Sequence, residues 1–188
     1  MDCGSSVTIS AEKAQVQAHC GVKKGDDLVN ARAGVSAAGQ VPNGPVTTSV
    51  YGQLNANGHS LSVERGHTQG LSTATTVAGN ASLLANKHHE LNANAFHSHI
   101  KPNHGPSFDK MGGGLSYQSA GGHAANVGVS HIPQAHMTTM NAGASANLWT
   151  SSSGNSSLNA NTNAMRHMSG PFKGRNDFGG GFNFQHRF

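Results

Sequence analysis

The stretch that decides the fold is Val46–Ala56, VTTSVYGQLNA, followed by the dipeptide Asn57-Gly58. Its even positions carry Val, Thr, Val, Gly, Leu and Ala, and its odd positions are largely polar. An alternation of period two is typical of a β-strand with one buried face. Asn-Gly is the strongest short signal for a two-residue hairpin turn. The turn predicts that Leu54 faces Leu61 on the next strand.

The same alternation recurs along the chain and predicts an all-β protein of about twelve antiparallel strands. Its apolar positions hold largely Ala, Thr and Val, which suit a flattened up-and-down barrel or a sandwich better than a wide round barrel. Further strands are indicated at Val7–Ala11, Ala14–Val22, Val29–Val35, Leu91–Ala95, Ala125–Val129, Ala142–Leu148, Leu158–Ala164 and Phe178–Phe188.

The composition lies at the border between folded and disordered chains. Leu, Ile, Val and Phe make up about a sixth of the residues, below the usual range for globular domains. The net charge is only +4, whereas disordered chains commonly combine low hydrophobicity with high net charge. The sequence therefore leaves open whether the free chain is folded or orders on its target.

Gly-Pro dipeptides divide the chain and indicate an internal repeat. We predict an N-terminal segment with a partial repeat (1–43), a first glycine-rich repeat (44–104), a second (105–169) and a C-terminal partial repeat (170–188). Each full repeat holds four predicted strands. The two partial repeats would complete a third copy if the last strand, Phe178–Phe188, paired with the first, Val7–Ala11. That pairing would close the sheet and remove both edges.

The charge favours anionic partners. Thirteen histidines would add up to thirteen positive charges to the net +4 on acidification. The C-terminus is basic and aromatic, as in a strand at an anionic bilayer surface, and the alternative is that its phenylalanines form the core. The cations that we expect to bind an anionic surface are Lys87, Lys101, Arg166, Lys173, Arg175 and Arg187. The membrane-facing or core aromatics are Phe178, Phe182, Phe184 and Phe188.

The densest histidine cluster comprises His88, His89, His97, His99 and His104. A His-x-His pair on a strand places two imidazoles on one face, as a zinc or copper site needs. No thiolate lies near, and Glu90 is the one close carboxylate. We therefore interpret the cluster as a pH-responsive charge and predict no metal and no cofactor.

The two cysteines fall on the apolar positions of the first two strands. A hairpin that pairs Val7 with Val16 sets Cys3 opposite Cys20, at a separation that suits a disulfide. Two buried thiols are the alternative, and the sequence leaves both open.

No catalytic arrangement is visible. The eight carboxylates are scattered, and only Asp26 and Asp27 are adjacent, beside Lys23 and Lys24. No nucleophile elbow or zinc-protease spacing occurs. We expect a non-enzymatic protein. A glycine-rich structural protein that self-associates is an alternative, and a nucleic-acid binder is a less favoured one, because cations and aromatics interleave only in the last strand.

Four blocks carry a family resemblance: Ala146–Ser152, Leu158–Ala164, Ser169–Phe172 and Asp177–Phe182. In this order they resemble the C-terminal glycine-rich region of insect attacins. Gly44–Thr48 with Gly58–Leu61 resembles the first glycine-rich region of that family, so the resemblance covers about residues 28 to 188.

The resemblance implies an inducible antibacterial protein of insect humoral immunity. Such a protein would act on the outer membrane and lipopolysaccharide of Gram-negative bacteria and would be secreted into the haemolymph. The N-terminus shows no basic and apolar leader. In this it is similar to the dipteran attacin-D type, and retention in the cell or unconventional release are the alternatives to secretion.

Overall fold

The computed structural model describes residues 2–10, 13–26, 28–41, 44–152 and 155–186. They form one sheet of twelve antiparallel strands in which each strand pairs with its neighbours in the chain. A 3-10 turn at Pro133–Ala135 is the one helical element in the described ranges. The strands are β1 (Asp2–Ser10), β2 (Lys13–Gly25), β3 (Val29–Val41), β4 (Thr47–Ala56), β5 (His59–Thr68), β6 (Ser72–Ala85), β7 (His89–Pro102), β8 (Phe108–Ser119), β9 (Ala124–Ile132), β10 (Met137–Thr150), β11 (Ser156–His167) and β12 (Asn176–His186). The predicted all-β, up-and-down architecture is confirmed.

The hairpin at Asn57-Gly58 forms as predicted. The two residues have φ angles of 50° and 80°, the positive values that a type I′ turn needs at both positions. Leu54 and Leu61 are register partners across β4 and β5. Local turn chemistry thus sets the register of this strand pair.

The N-terminal hairpin also has the predicted register. Val7 pairs with Val16, and Cys3 pairs with Cys20. Of the two alternatives for the cysteines, the structure has the disulfide, with the two Cα atoms 4.1 Å apart. The connecting residues, Ala11 and Glu12, lie outside the described ranges.

The predicted closure of the sheet is wrong. β1 and β12 are the two ends of the strand order, and no ladder joins their described residues. A closed barrel of twelve strands has an interior wider than small side chains can fill. The small Ala and Thr side chains of this chain, and its many glycines, which have no side chain, would therefore make too little contact across a closed barrel.

The chain divides into two compact units, each of which takes residues from two parts of the sequence. Unit 1 is Met1–Asn80 with Phe96–Lys110, and unit 2 is Ala81–Ala95 with Met111–Phe188. Four strands, β4 to β7, fall in residues 44–104, and four more, β8 to β11, in residues 105–169. The domain boundaries drawn from the repeat remain a prediction.

The apolar positions of the strands were predicted to face a core, and this is also wrong. No hydrophobic side chain of the described residues is buried, and Val50 is 61% exposed. In unit 1 the buried side chains are polar instead: Asn30, Ser49 and Ser98. Ser49 hydrogen-bonds Ser36 across strands at 2.6 Å.

This inversion has a physical cause. Small polar side chains sit close together on adjacent strands and satisfy one another, as Asn55 does by donating to Asn30 at 2.9 Å. The larger apolar side chains on the other face have no apolar layer to contact among the described residues. The two-residue period was therefore predicted well, whereas the side that becomes buried was not.

Candidate functional site

The C-terminal hairpin, formed by β11, β12 and the loop 168–175, carries the most exposed aromatic side chains among the described residues. Phe178, Phe182 and Phe184 are 80%, 77% and 63% exposed. They lie on one face of β12, because residues two apart on a strand share a face. Their register partners on β11 are Ala164, Ala160 and Leu158. Two of these partners are alanines that cannot cover a ring, so the phenylalanines form an exposed apolar strip and no core.

Three of the predicted cations lie at the loop end of this strip. Arg166 lies on β11 two residues beyond Ala164, on the same face as Phe178. Lys173 and Arg175 lie exposed in the loop. Arg175 pairs with Asp177 at 3.6 Å, whereas Arg166 and Lys173 form no ion pair with any described residue. Two uncompensated cations therefore border the aromatic strip.

The loop between β11 and β12 is held by the block Ser169–Phe172. The Ser169 hydroxyl accepts a hydrogen bond from the Thr138 amide at 3.0 Å and donates to the His136 carbonyl at 2.8 Å. Gly170 has a φ of +86°, which favours glycine. The ring of Phe172 contacts that of His167, with centroids 5.7 Å apart. The block that carried the family resemblance thus fixes this loop against the turn between β9 and β10.

The other predicted cations lie elsewhere. Lys87 lies in the loop between β6 and β7, at the end of the unit 2 strands opposite to the loop 168–175. Lys101 lies on β7 in unit 1. Arg187 and Phe188 lie outside the described ranges. The structure therefore gathers Arg166, Lys173 and Arg175 and does not bring Lys87 to them.

The histidine cluster is divided between the two units. In unit 1, His99 Nδ1 lies 2.9 Å and His97 Nε2 lies 3.6 Å from Asp109 Oδ1, with His104 in the following loop. The contact with Asp109 was not predicted from the sequence. His99 and Asp109 lie the same number of residues before and after His104, in the turn between β7 and β8, and such spacing places two residues opposite each other in a hairpin.

In unit 2, His89 Nδ1 lies 2.7 Å from the Tyr117 hydroxyl, and the two rings are stacked. The ring of neighbouring His88 lies 6.3 Å from that of His89.

The described residues contain no group of three His, Cys, Asp or Glu side chains that could hold a metal. They also contain no helix long and apolar enough to cross a membrane.

A groove in unit 1 was not predicted. It has a volume of about 560 Å³ and an apolar floor that includes Val35 and Val50, with Arg65 and His67 on β5 at one side. Cys20, Val35, Val50 and Arg65 form one register row across β2 to β5. Arg65 makes no ion pair with any described residue. An apolar floor beside a free guanidinium suits an acyl chain with an anionic head group.

The sequence of β5 contains a pattern that indicates this groove. Every second residue lies on the same face of the strand, and that face carries Leu61, Val63, Arg65 and His67. Of this face, only Leu61 was predicted, as the residue that faces Leu54. Because that face is exposed, its cation becomes available to a ligand.

The sequence of the chain matches two family models and several known proteins. The model of the attacin N-terminal region matches residues 4–67, and that of the attacin C-terminal region matches residues 69–188. Attacin-A of Glossina morsitans morsitans is 37% identical over 87% of this chain and 79% of its own length. Sarcotoxin II-1 of Sarcophaga peregrina is 31% identical over 92% and 71%, and Attacin-B of Drosophila melanogaster is 34% identical over 82% and 71%.

No solved structure matches the chain. Both attacin regions are matched in order, and together they span nearly all of the sequence. The protein therefore belongs to the attacin family of antibacterial defence proteins.

Proposed function

We propose that the protein acts without catalysis on the outer membrane of Gram-negative bacteria, and that lipopolysaccharide is its target. The observation that carries this proposal is the C-terminal hairpin, where exposed phenylalanines lie beside Arg166 and Lys173. Aromatic rings favour the head-group region of a bilayer, and cations bind the phosphates there.

The phenylalanine rings and the cations contribute different amounts of free energy to membrane binding. A cation near an anionic surface contributes about 1 kcal/mol, whereas burial of a phenylalanine contributes about 1.5–3 kcal/mol. Three rings therefore supply most of the affinity for a bilayer. The cations decide which bilayer is bound, because their contribution is lost on a neutral surface.

The groove of unit 1 supports the same target. Its apolar floor at Val35 and Val50 can take an acyl chain, and Arg65 can take a phosphate of the head group. Lipopolysaccharide offers both groups in one molecule. Each unit therefore carries an apolar surface with an unpaired cation.

A non-catalytic mechanism agrees with the uses of the carboxylates. Asp26 accepts hydrogen bonds from the amides of Leu28 and Val29 at 2.9 and 2.7 Å, so it shapes a turn. Asp177 pairs with Arg175, and Asp109 hydrogen-bonds His99. These three carboxylates serve local structure in this chain.

We also infer that the protein acts outside the cell. The disulfide between Cys3 and Cys20 supports this, because disulfides persist in oxidising compartments.

Self-association as a structural protein is a second candidate, favoured by the exposed apolar faces. It predicts concentration-dependent assembly in buffer alone, and light scattering over a concentration series tests it. The effector proposal predicts association that depends on lipopolysaccharide.

Vesicle binding tests the proposed function. Vesicles of neutral phospholipid, with and without lipopolysaccharide, are titrated with the protein at about 0.15 M salt, where surface charge is partly screened. We expect binding to be at least about tenfold tighter with lipopolysaccharide than without it, and the double variant Arg166→Gln/Lys173→Gln to lose at least about tenfold in affinity for the vesicles that contain lipopolysaccharide. Lys87→Gln is the matched control and keeps the affinity. Equal binding to both kinds of vesicle would overturn the proposal.

A further inference from the structure

A second concave surface lies in unit 2, on the side of the strands that carries polar residues. Its volume is about 630 Å³, within the range of ligand sites. Side chains that line it include Asn92, Asn126, Asn141, Asn161, Asn163 and Asp177. We call it the asparagine cavity. The C-terminal hairpin presents its phenylalanines on the other face, because Asn163 neighbours Ala164, the register partner of Phe178.

Two amides of this cavity, those of Asn126 and Asn163, lie over glycines and have no hydrogen-bond partner among the described residues, whereas Asn92 donates to Glu90. A Cβ built on Gly143 would lie 2.6 Å from Asn126 Oδ1, so the Asn126 amide rests directly over that glycine. Asn163 lies over Gly179 in the same way, also at 2.6 Å. The side chains of Asn126 and Asn163 make no hydrogen bond to any described residue. Their donors and acceptors are both open to a ligand.

The charges of the cavity argue against an anionic ligand. No Lys or Arg occurs among the described residues that line it. Its carboxylate, Asp177, is already paired with Arg175 at 3.6 Å. An amide offers two donor hydrogens and an acceptor oxygen. A hydroxyl also donates and accepts, so a row of amides matches a ligand rich in hydroxyl groups.

We infer that the asparagine cavity binds an uncharged oligosaccharide. Amides on adjacent strands are about 4.8 Å apart, and those two residues apart on one strand about 7 Å apart. Asn126 on β9 and Asn163 on β11 lie in one register row on either side of Gly143, so their strands are about 9.6 Å apart, and Asn161 lies about 7 Å from Asn163 along β11. These amides present spaced donors and acceptors to a chain of sugar rings. The inference rests on the proposed envelope target, and it adds the saccharide to the lipid and phosphate groups bound elsewhere.

Two uncharged probes distinguish the sources of such a saccharide. One is an O-polysaccharide of neutral sugars separated from both the lipid A and the charged core of lipopolysaccharide, and the other is an oligomer of N-acetylglucosamine, which represents the peptidoglycan glycan without its carboxylates. Binding of each is measured by saturation-transfer NMR and calorimetry with the full chain. We expect wild-type protein to bind at least one probe.

The double variant Asn126→Ala/Asn163→Ala removes two unpaired amides and adds no bulk. We expect it to bind the same probe at least about tenfold more weakly, since several hydrogen bonds are lost. Asn183→Ala is the matched control, because Asn183 lies exposed on the same side of β12 and does not line the cavity. Circular dichroism verifies that both variants keep the wild-type strand content.

Three results would overturn the inference: no binding of either probe, equal binding by the double variant, or a double variant that changes only self-association. The failure of this inference is separable from failure of the proposed function. Vesicles of lipopolysaccharide that lacks its polysaccharide would still bind through the hairpin if only the saccharide inference fails. If those vesicles are not bound and the free polysaccharide is, the proposed membrane function fails instead.

Discussion

The amide of Asn141 lies against the backbone of Gly128, its register partner across β9 and β10. A Cβ built on Gly128 would stand 2.9 Å from Asn141 Oδ1. The same relationship joins Asn126 to Gly143 on these two strands. Glycine opposite asparagine thus lets an amide lie flat on the sheet. The abundance of both residues in this chain therefore has a packing reason beyond turn formation.

Gly114 is a position in the sheet where an added side chain should cost stability. Its Cβ would meet the Val127 carbonyl oxygen, which is backbone and cannot rotate away. We expect Gly114→Ala to lower the free energy of unfolding by about 1–3 kcal/mol, as overpacking does. Thermal unfolding followed by circular dichroism measures the loss. Gly181→Ala is the control, because its Cβ would find Asn161 Oδ1 at 3.9 Å. Equal melting temperatures for the two variants would contradict this packing account.

Exposed phenylalanines should matter for binding and not for folding. Phe178 and Phe182 are 80% and 77% exposed, so Phe178→Ser/Phe182→Ser removes little buried area. We expect an unchanged melting temperature and at least about tenfold weaker partition into lipopolysaccharide vesicles. Leu148→Ser, at the bulge of β10, serves as control and keeps the wild-type partition. A large drop in the melting temperature of the double variant would show that the rings form a core after all.

Acidification should strengthen binding to anionic vesicles. Thirteen histidines gain charge as the pH falls, and the net charge is already +4. We expect tighter binding to lipopolysaccharide vesicles at pH of about 5.5 than at about 7.5. The gain should shrink at about 0.5 M salt, because screening weakens interactions between exposed charges. Surface plasmon resonance at both pH values measures it. An affinity that is unchanged or falls on acidification would refute the histidine charge switch.

The disulfide should hold β1 on the sheet. It joins Cys3 to Cys20 with a sequence separation of 17, and β1 has only β2 as a paired neighbour. Cross-links that close loops of this length contribute about 3 kcal/mol. We expect Cys3→Ser/Cys20→Ser to raise amide hydrogen exchange in β1 far more than in β9 and β10, as mass spectrometry would show. Equal exchange in β1 before and after the change would contradict this role.

Local patterns predicted the fold well. Alternation identified the strands, and Asn57-Gly58 determined the register of β4 and β5 through backbone conformations that only certain residues adopt. The pairing of Cys3 with Cys20 followed from the alternation of the first two strands. These features depend on residues close in the chain, so a single sequence contains them.

Features that depend on distant residues were not predictable in this way. Alternation defines two faces of a strand but does not say which face another layer will cover, so the exposure of Val50 came only with the structure. The prediction that β1 pairs with β12 was wrong for the same reason, because it concerns two strands at opposite ends of the chain. Arg65 was overlooked because a cation on an apolar face looks like an exception until that face is found to be exposed.

The proposal that the C-terminal hairpin acts on the outer membrane is tested by measuring the permeability of that membrane in living Gram-negative cells. The assay follows uptake of an apolar dye that fluoresces once it enters the membrane. We expect a prompt rise in fluorescence with wild-type protein and a rise at least about tenfold smaller with Arg166→Gln/Lys173→Gln. Lys87→Gln should behave as wild type. Growth inhibition without dye uptake, or equal uptake with the double variant, would contradict an action on the outer membrane through the C-terminal hairpin.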